Sequence, residues 1–309
     1  MLHRPAVRVA PPDRALSHLQ GSGLVLLCGV VFSFGGLAFR STDDVSPWQY
    51  LFFRGIGMLL VTGLALLATQ RQRLGLAVKA IRGPHIWAAL ILGGINCLFI
   101  IALDLATVAF VLFAQTLGPV AAAYFTWLLT GERVTWRVVV ASAISAIGVG
   151  VMAAGTITDD LSPWALLTLA IPVGFGLYAT IIRSAQPVDP ALPILMAGVF
   201  VTGLPGLIVF ASGGFDLSRR DALIGVFAGS VLLGLPLALF NIAQRVVPSS
   251  ETTLLLLSEV VLAPLWVWAF ADETPGGSTL VGGAIVTAAV VWLTLTRRKI
   301  PRRAFTTRG

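Results

Sequence analysis

Long apolar runs alternate with short polar segments along almost the whole chain. Ten such runs are present, at roughly 22–39, 48–69, 85–103, 107–130, 135–154, 163–182, 191–211, 222–243, 248–271 and 278–296. About 20 mainly apolar residues carry a helix across a bilayer, because the hydrocarbon core is about 30 Å thick and each residue rises about 1.5 Å. The polar segments, such as Asp43-Asp44, are too short for a soluble domain. The pattern therefore predicts an all-α integral membrane protein with ten transmembrane helices.

Composition excludes the soluble and disulfide-stabilised classes. The 309 residues are 57% hydrophobic and 11% charged, whereas soluble domains carry about 25% charged residues. Cys28 and Cys97 lie inside apolar runs, which does not indicate a disulfide framework. The histidines, His3, His18 and His85, lie in a tail or at a span edge, and the sequence has no zinc-protease, nucleotide-binding or nucleophile-elbow motif. We therefore predict a protein that is not an enzyme, with no catalytic residue, metal or cofactor.

The few charged residues sort by side of the membrane. If the N-terminal tail, residues 1–21, is cytoplasmic, three of the 21 Lys and Arg residues lie outside, one lies within a span, and the other 17 are cytoplasmic. The three outside are Arg40, Arg219 and Arg220, and the one within a span is Arg54. Cytoplasmic segments carry the excess of Lys and Arg, so we predict a multi-pass protein of the plasma (inner) membrane with both termini cytoplasmic. The basic tail at 297–309 is expected to contact anionic lipid rather than nucleic acid.

The second half of the chain repeats the first at an offset of 141 positions. Similar apolar residues coincide over much of this offset, such as Leu92 with Leu233. The more specific matches are Trp127 with Trp268 and Glu132 with Glu273, because both pairs end a span. The chain therefore divides into a first five-helix repeat at 22–154, an outer linker at 155–162 and a second repeat at 163–296.

An odd number of spans in each repeat inverts the second copy in the membrane. Inverted repeats recur in secondary transporters, because two halves of similar shape can exchange which side of the membrane is open. Gene duplication also produces inverted halves in channels and membrane enzymes, so the repeat favours a transporter without excluding these classes.

Several motifs resemble those of one transporter family. The fourth span of the EamA family, of the drug/metabolite transporter superfamily, is similar to Ala106–Leu112, Leu117–Val120, Trp127 and Thr130–Arg133. The family's ninth-span motif is similar to Val247–Thr253, Ser258–Val260 and Asp272-Glu273. Its second-span arginine motif resembles Phe52–Gly55, which follows Pro47. The family usually has proline after the ninth-span glutamate, where this chain has Val260. The resemblance covers about 20–300 and implies two inverted five-helix halves, a central cavity, and export of amino acids or related small metabolites.

Two charged residues within the spans are the first candidates for function, because an ionisable group at membrane depth is costly without a partner or water. Glu259 lies near the middle of its span, where it could bind a substrate amine, carry a proton or hydrogen-bond a neighbouring helix. Arg54 lies about two turns into the second span, where it could bind a substrate carboxylate or stabilise the bundle.

Neutral polar residues near mid-depth complete the predicted binding site. They are Ser33, Asn96, Gln115, Thr116, Tyr178, Asn241 and Ser258. Individually such residues often hold helices together, but as a set they are what a small polar cavity requires.

We therefore predict a secondary transporter that exports small metabolites, with amino acids as the first candidates, by alternating access through a central cavity. Its expected partners are a small-molecule substrate and membrane lipid, and it is expected to be a monomer or homodimer. The alternative is a membrane lipid-handling enzyme or an accessory subunit without transport activity of its own.

Overall fold

The computed structural model describes residues 16–43, 45–70, 75, 81–105, 111, 115, 117–131, 135–154, 167–168, 170–185, 189–271 and 277–295. Every regular element in these ranges is a helix. Each of the ten predicted runs contains at least one described helix, and we number these segments as spans 1 to 10. The predicted linker at 155–162, the basic tail at 297–309, Thr116, Glu132 and Glu273 lie outside the described residues.

The bounds of the helices are as follows. Span 1 comprises His18–Phe32 and Gly35–Arg40, span 2 Pro47–Gln70, span 3 Gly83–Leu105, span 4 Gly118–Thr130, span 5 Trp136–Ala154, span 6 Ala170–Ser184, span 7 Leu192–Ala211, span 8 Arg219–Phe227, Ala228–Gly234 and Leu235–Ala243, span 9 Ser249–Leu256 and Ser258–Ala271, and span 10 Gly277–Leu295.

Spans 1, 2, 3, 7 and 8 are each long and apolar enough to cross a membrane. Shorter apolar helices lie in spans 5, 6 and 10. Local signals in the sequence set several helix ends: Ser17 and Gln20 form a capping box before span 1, and Gly131 ends span 4 in the left-handed conformation at φ 70°. The predicted all-α membrane fold is confirmed.

The helices are arranged with an approximate two-fold symmetry that relates each span to the span five places later. Span 2 packs against span 7, span 4 against span 9, and span 5 against span 10. Other major contacts come in equivalent pairs. The contact of span 3 with span 6 is equivalent to that of span 8 with span 1. The contact of span 3 with span 7 is equivalent to that of span 8 with span 2. The two halves therefore interlock around a shared centre, as the inverted repeat predicts.

Glycines allow the closest approach between the halves, where span 2 crosses span 8. A Cβ atom on Gly57 would collide with the carbonyl oxygen of Val226, and one on Gly229 with the carbonyl oxygen of Arg54. The backbones of the two spans are therefore in direct contact at Arg54, whose side chain is buried.

Span 8 is irregular at the same level. Its residues Ala228–Gly234 form a π-helix, and Pro236 lies at the start of the α-helix that follows. A proline ring clashes with the carbonyl group four residues earlier in an α-helix, and the wider π turn relieves that clash. This segment carries Leu232 and Leu233 to the centre of the molecule.

Candidate functional site

A cavity of about 110 Å³ lies at the centre of the bundle. Its walls come from spans 1, 3 and 4 of the first repeat, from the equivalent spans 6, 8 and 9 of the second repeat, and from span 2. The cavity therefore forms where the two repeats meet, and neither repeat could form it alone.

Four pairs of residues at the repeat offset of 141 positions line this cavity together. The pairs are Leu92 and Leu233, Asn96 and Leu237, Gln115 and Leu256, and Gly118 and Glu259. The cavity therefore straddles the pseudo-two-fold axis. In three of the pairs one member is polar and the other is not, so the symmetric backbone carries an asymmetric distribution of polar groups.

Arg54 supplies a cation to the cavity wall. Its side chain is only 5% exposed, and its guanidinium carbon lies 6.0 Å from the centre of the Phe99 ring. Within the described part of the chain, its Nε and Nη1 atoms are buried and have no hydrogen-bond partner. Unpaired donors of a buried guanidinium are costly, so packing alone does not explain an arginine at this position.

Glu259 supplies a carboxyl group to the same cavity. It lies in the first turn of the second helix of span 9, and its partly buried side chain lines the cavity. The side chain of Gln115 forms a hydrogen bond with its carboxyl group. Among the described residues, Arg220 forms an ion pair with Asp43, whereas no ion pair joins Arg54 to Glu259. The cavity wall thus contains a guanidinium group and a carboxyl group that are not paired with each other.

The structure brings together Arg54, Asn96, Gln115 and Glu259 of the predicted site residues, and it places Ser33, Tyr178, Asn241 and Ser258 elsewhere. Tyr178 donates a hydrogen bond of 2.9 Å to Oδ1 of Asn241, and Nδ2 of Asn241 donates to the carbonyl oxygen of Pro190 at 2.8 Å. These two side chains are fully buried. They bind each other and the backbone instead of lining the cavity.

Ser33 and Ser258 also lie outside the cavity lining. The hydroxyl group of Ser33 accepts a hydrogen bond of 2.6 Å from Nε1 of Trp266 and donates one of 2.6 Å to the carbonyl oxygen of Val30. The hydroxyl oxygen of Ser258 lies against Gly29, where a Cβ atom would collide with it. Both serines therefore lie at contacts between spans 1 and 9.

Tyr178 and Asn241 belong to a group of fully buried polar side chains that lies next in sequence to the cavity-lining residues of spans 6, 8 and 9. We name this group the inner polar cluster, and its members are Tyr178, Asn241, Gln244, Ser249 and Thr252. Gln244 donates to the Thr252 hydroxyl group at 2.9 Å, and the Ser249 hydroxyl group donates to the carbonyl oxygen of Ala179 at 3.1 Å. The cluster lies along spans 6, 8 and 9 on the side that the charge distribution predicts to be cytoplasmic.

Sequence reasoning missed most of the apolar wall. Phe99, Pro172, Phe175 and Thr253 line the cavity, and none was predicted as a site residue. Thr253 lies within a motif that carries the family resemblance, which was a usable signal. The aromatic residues offered none, because an apolar side chain on a cavity wall has the same pattern as one in the core.

Comparison with known proteins agrees with this architecture. The model of the EamA-like transporter family matches residues 19–154 and 162–295. A curated protein of Streptantibioticus cattleyicolor, named "Probable terminal-alkyne amino-acid exporter", is 30% identical over 199 residues, which cover 60% of this chain and 63% of that protein. A solved crystal structure superposes with a TM-score of 0.78 over 92% of this chain and 100% of its own, at 18% identity, and this likeness concerns the fold alone.

Proposed function

The chain belongs to the EamA-like transporter family, and from that premise we propose that it exports small amino acids by alternating access through the central cavity. Membership makes the chain a membrane transporter and not an enzyme, so the lipid-handling enzyme is no longer a candidate. The curated relative is named as an amino-acid exporter, which supports this substrate class.

The observation that carries the proposal is that a guanidinium group and a carboxyl group line one cavity without pairing with each other. An amino acid is a zwitterion, with a carboxylate and an ammonium group on the same carbon atom. Its carboxylate would accept hydrogen bonds from the guanidinium group of Arg54, which lines the cavity, and arginine binds carboxylates through two parallel hydrogen bonds. Its ammonium group would then face Glu259. A simple amine or a simple acid satisfies only one of the two charges.

The size of the cavity supports a small solute. A cavity of roughly 150 Å³ takes up benzene, which has six heavy atoms. The central cavity, at about 110 Å³, is somewhat smaller. It is therefore suited to a molecule of about the size of alanine, which also has six heavy atoms.

Export requires the cavity to open alternately to each side. We infer that the inner polar cluster, whose side chains are fully buried and hydrogen-bonded, closes the side predicted to be cytoplasmic. In our proposal, these hydrogen bonds break when the transporter loads substrate from the cytoplasm and re-form when it releases substrate outside. The approximate two-fold symmetry supports this scheme, because each half can adopt the conformation of the other.

Counterflow in proteoliposomes tests the substrate class. Vesicles loaded with unlabelled alanine are diluted into labelled alanine, and competitors are alanine, propionate, which lacks the amine, and ethylamine, which lacks the carboxylate. We expect labelled alanine to accumulate, and each analogue to compete at least about tenfold less well than alanine, since losing one charged contact costs about 1.5–3 kcal/mol. Failure of any amino acid to exchange, or equal competition by the analogues, would contradict the proposal.

Two charge-removing variants assign the roles. Arg54→Gln should weaken competition by alanine and propionate, while Glu259→Gln should weaken competition by alanine and ethylamine. Arg220→Gln is the matched control, because Arg220 forms an exposed ion pair of 2.9 Å with Asp43 far from the cavity wall. Equal effects of all three variants would refute a direct role of the cavity charges.

We further propose that the protein lies in the plasma (inner) membrane with both termini cytoplasmic, as monomer or homodimer in contact with lipid. The native cysteines Cys28 and Cys97 are buried and give little background labelling. In intact cells, a membrane-impermeant maleimide should label Asp43→Cys, and it should label Thr307→Cys only after lysis. The opposite pattern would invert the proposed topology.

A further inference from the structure

Most buried glycines in this protein are explained by close helix contacts. A Cβ atom on Gly229 would collide with the backbone of Arg54, and one on Gly176 would lie 2.6 Å from the backbone nitrogen of Ala122. At such positions any side chain would force two helices apart, so glycine is required by the fold.

Gly118 and Gly35 do not follow this rule. A Cβ atom on Gly118 would have its nearest neighbours at 3.9 Å, Cβ of Pro172, and at 4.0 Å, Cβ of Thr253. A Cβ atom on Gly35 would have no neighbour within 4 Å. Both glycines are buried, and both line the central cavity. Helix contacts therefore leave room for a side chain at each position, and the space that it would occupy belongs to the cavity.

The pseudo-two-fold symmetry shows where a side chain at position 118 would point. Gly118 is equivalent to Glu259 at the repeat offset, and both residues line the cavity. The side chain of Glu259 enters the cavity from one repeat, so a side chain at position 118 would enter it from the other repeat. Because residue 118 is glycine, the part of the cavity opposite the carboxyl group of Glu259 stays open.

We propose that Gly118 and Gly35 are specificity-determining residues that leave room for the side chain of the transported amino acid and set its upper size. This inference rests on the proposed function, because it takes an amino-acid zwitterion as the solute. The substrate's charged groups bind at Arg54 and Glu259, and its side chain occupies the space that these glycines leave empty.

The chemistry of the wall restricts the side chain further. Around Gly118 and Gly35 the cavity is lined mainly by apolar residues, such as Phe32, Pro172 and Phe175. Among the described residues of the cavity wall, Arg54 and Glu259 are the ionisable ones, and both are used by the zwitterion. The accepted class is therefore neutral amino acids with short apolar side chains, and acidic or basic amino acids are excluded.

Competition by a homologous series tests the size limit. Labelled alanine counterflow is measured for the wild type, Gly118→Ala and Gly35→Ala, with alanine, 2-aminobutyrate and norvaline as competitors. An added methyl group in an apolar pocket changes discrimination by about ten- to two-hundredfold. We expect the half-inhibiting concentrations of 2-aminobutyrate and norvaline to rise by such a factor relative to that of alanine in both variants.

The matched control is Gly94→Ala in span 3. Gly94 lies in a helix, is exposed on the outer surface of the bundle, and has no neighbour within 4 Å of an added Cβ atom. Gly94→Ala therefore has the same backbone effect as the other two variants but leaves the cavity unchanged. Its competition profile should match that of the wild type.

A second variant guards against a backbone explanation. Gly118 precedes Pro119, and a Cβ atom before proline disfavours the helical conformation, so Gly118→Ala could lose structure for that reason alone. Gly35 is followed by Gly36, and Gly35→Ala then decides the outcome. Loss of transport that does not depend on competitor size, or the same profile in Gly94→Ala, would overturn the inference. Absence of all amino-acid counterflow in the wild type would instead overturn the proposed function.

Discussion

Replacement of Arg54 by methionine should stabilise the protein while it abolishes amino-acid transport. Arg54 is 5% exposed, and two of its guanidinium nitrogens are buried without hydrogen-bond partners among the described residues. A residue selected for stability would not be left in this condition. Methionine has a similar length and no hydrogen-bond donors, so it fills the space of the arginine stem without the cost of the charge.

The size of the effect follows from the contacts of the guanidinium group. Each unsatisfied buried donor costs about 1–3 kcal/mol, so the two nitrogens together cost about 2–6 kcal/mol. The interaction with the Phe99 ring, at 6.0 Å, returns about 0.5–2 kcal/mol, which methionine loses. With the middle of each range, about 4 kcal/mol relieved and about 1 kcal/mol lost, the net expectation is a stabilisation of about 3 kcal/mol. At about 2 °C per kcal/mol, the unfolding temperature should rise by roughly 6 °C.

Thermal unfolding in detergent, followed by the fluorescence of the eight tryptophans, measures this shift. Arg54→Lys is the matched control, because it keeps a buried cation and should not stabilise the protein. Saturating alanine should raise the unfolding temperature of the wild type, since a ligand that binds only the folded state stabilises it. The same alanine should leave Arg54→Met unchanged.

A lower unfolding temperature in Arg54→Met, restored in Arg54→Lys, would refute this reasoning. Arg54 would then be a structural residue that stabilises the bundle, which is the alternative that the sequence left open. Stabilisation of both variants by alanine would separately show that the substrate carboxylate binds elsewhere.

Three further substitutions test the architecture around the cavity, each by thermal unfolding. Tyr178→Phe removes the 2.9 Å hydrogen bond to Asn241 and should lower stability by about 1 kcal/mol, and an unchanged unfolding temperature would show that this hydrogen bond does not stabilise the folded protein. Gly229→Ala forces spans 2 and 8 apart and should lower the free energy of unfolding by more than about 3 kcal/mol, whereas Gly94→Ala should leave it unchanged. Similar values for the two variants would contradict the direct backbone contact. Ser218→Ala removes the side-chain cap of span 8 and should cost about 1 kcal/mol, and no loss would show that the cap is dispensable.

Much of the architecture could be predicted from the sequence, because bilayer thickness imposes a length on every span. The ten runs and the inverted repeat follow from apolar length, the offset of 141 positions and an odd span number. Arg54 and Glu259 were identifiable because charge within a span is rare, and the structure places both at one cavity.

The tertiary structure alone decided which polar residues share that cavity. Asn96 and Gln115 line it, whereas Tyr178 and Asn241 bind each other and Ser33 binds Trp266. In a soluble helix the apolar face marks the core, but lipid is as apolar as a protein interior. Hydrophobic periodicity along a span therefore does not show which face points inward. The sequence determined that these side chains lie at membrane depth, and only helix rotation and the crossing of the two repeats determined what each one meets.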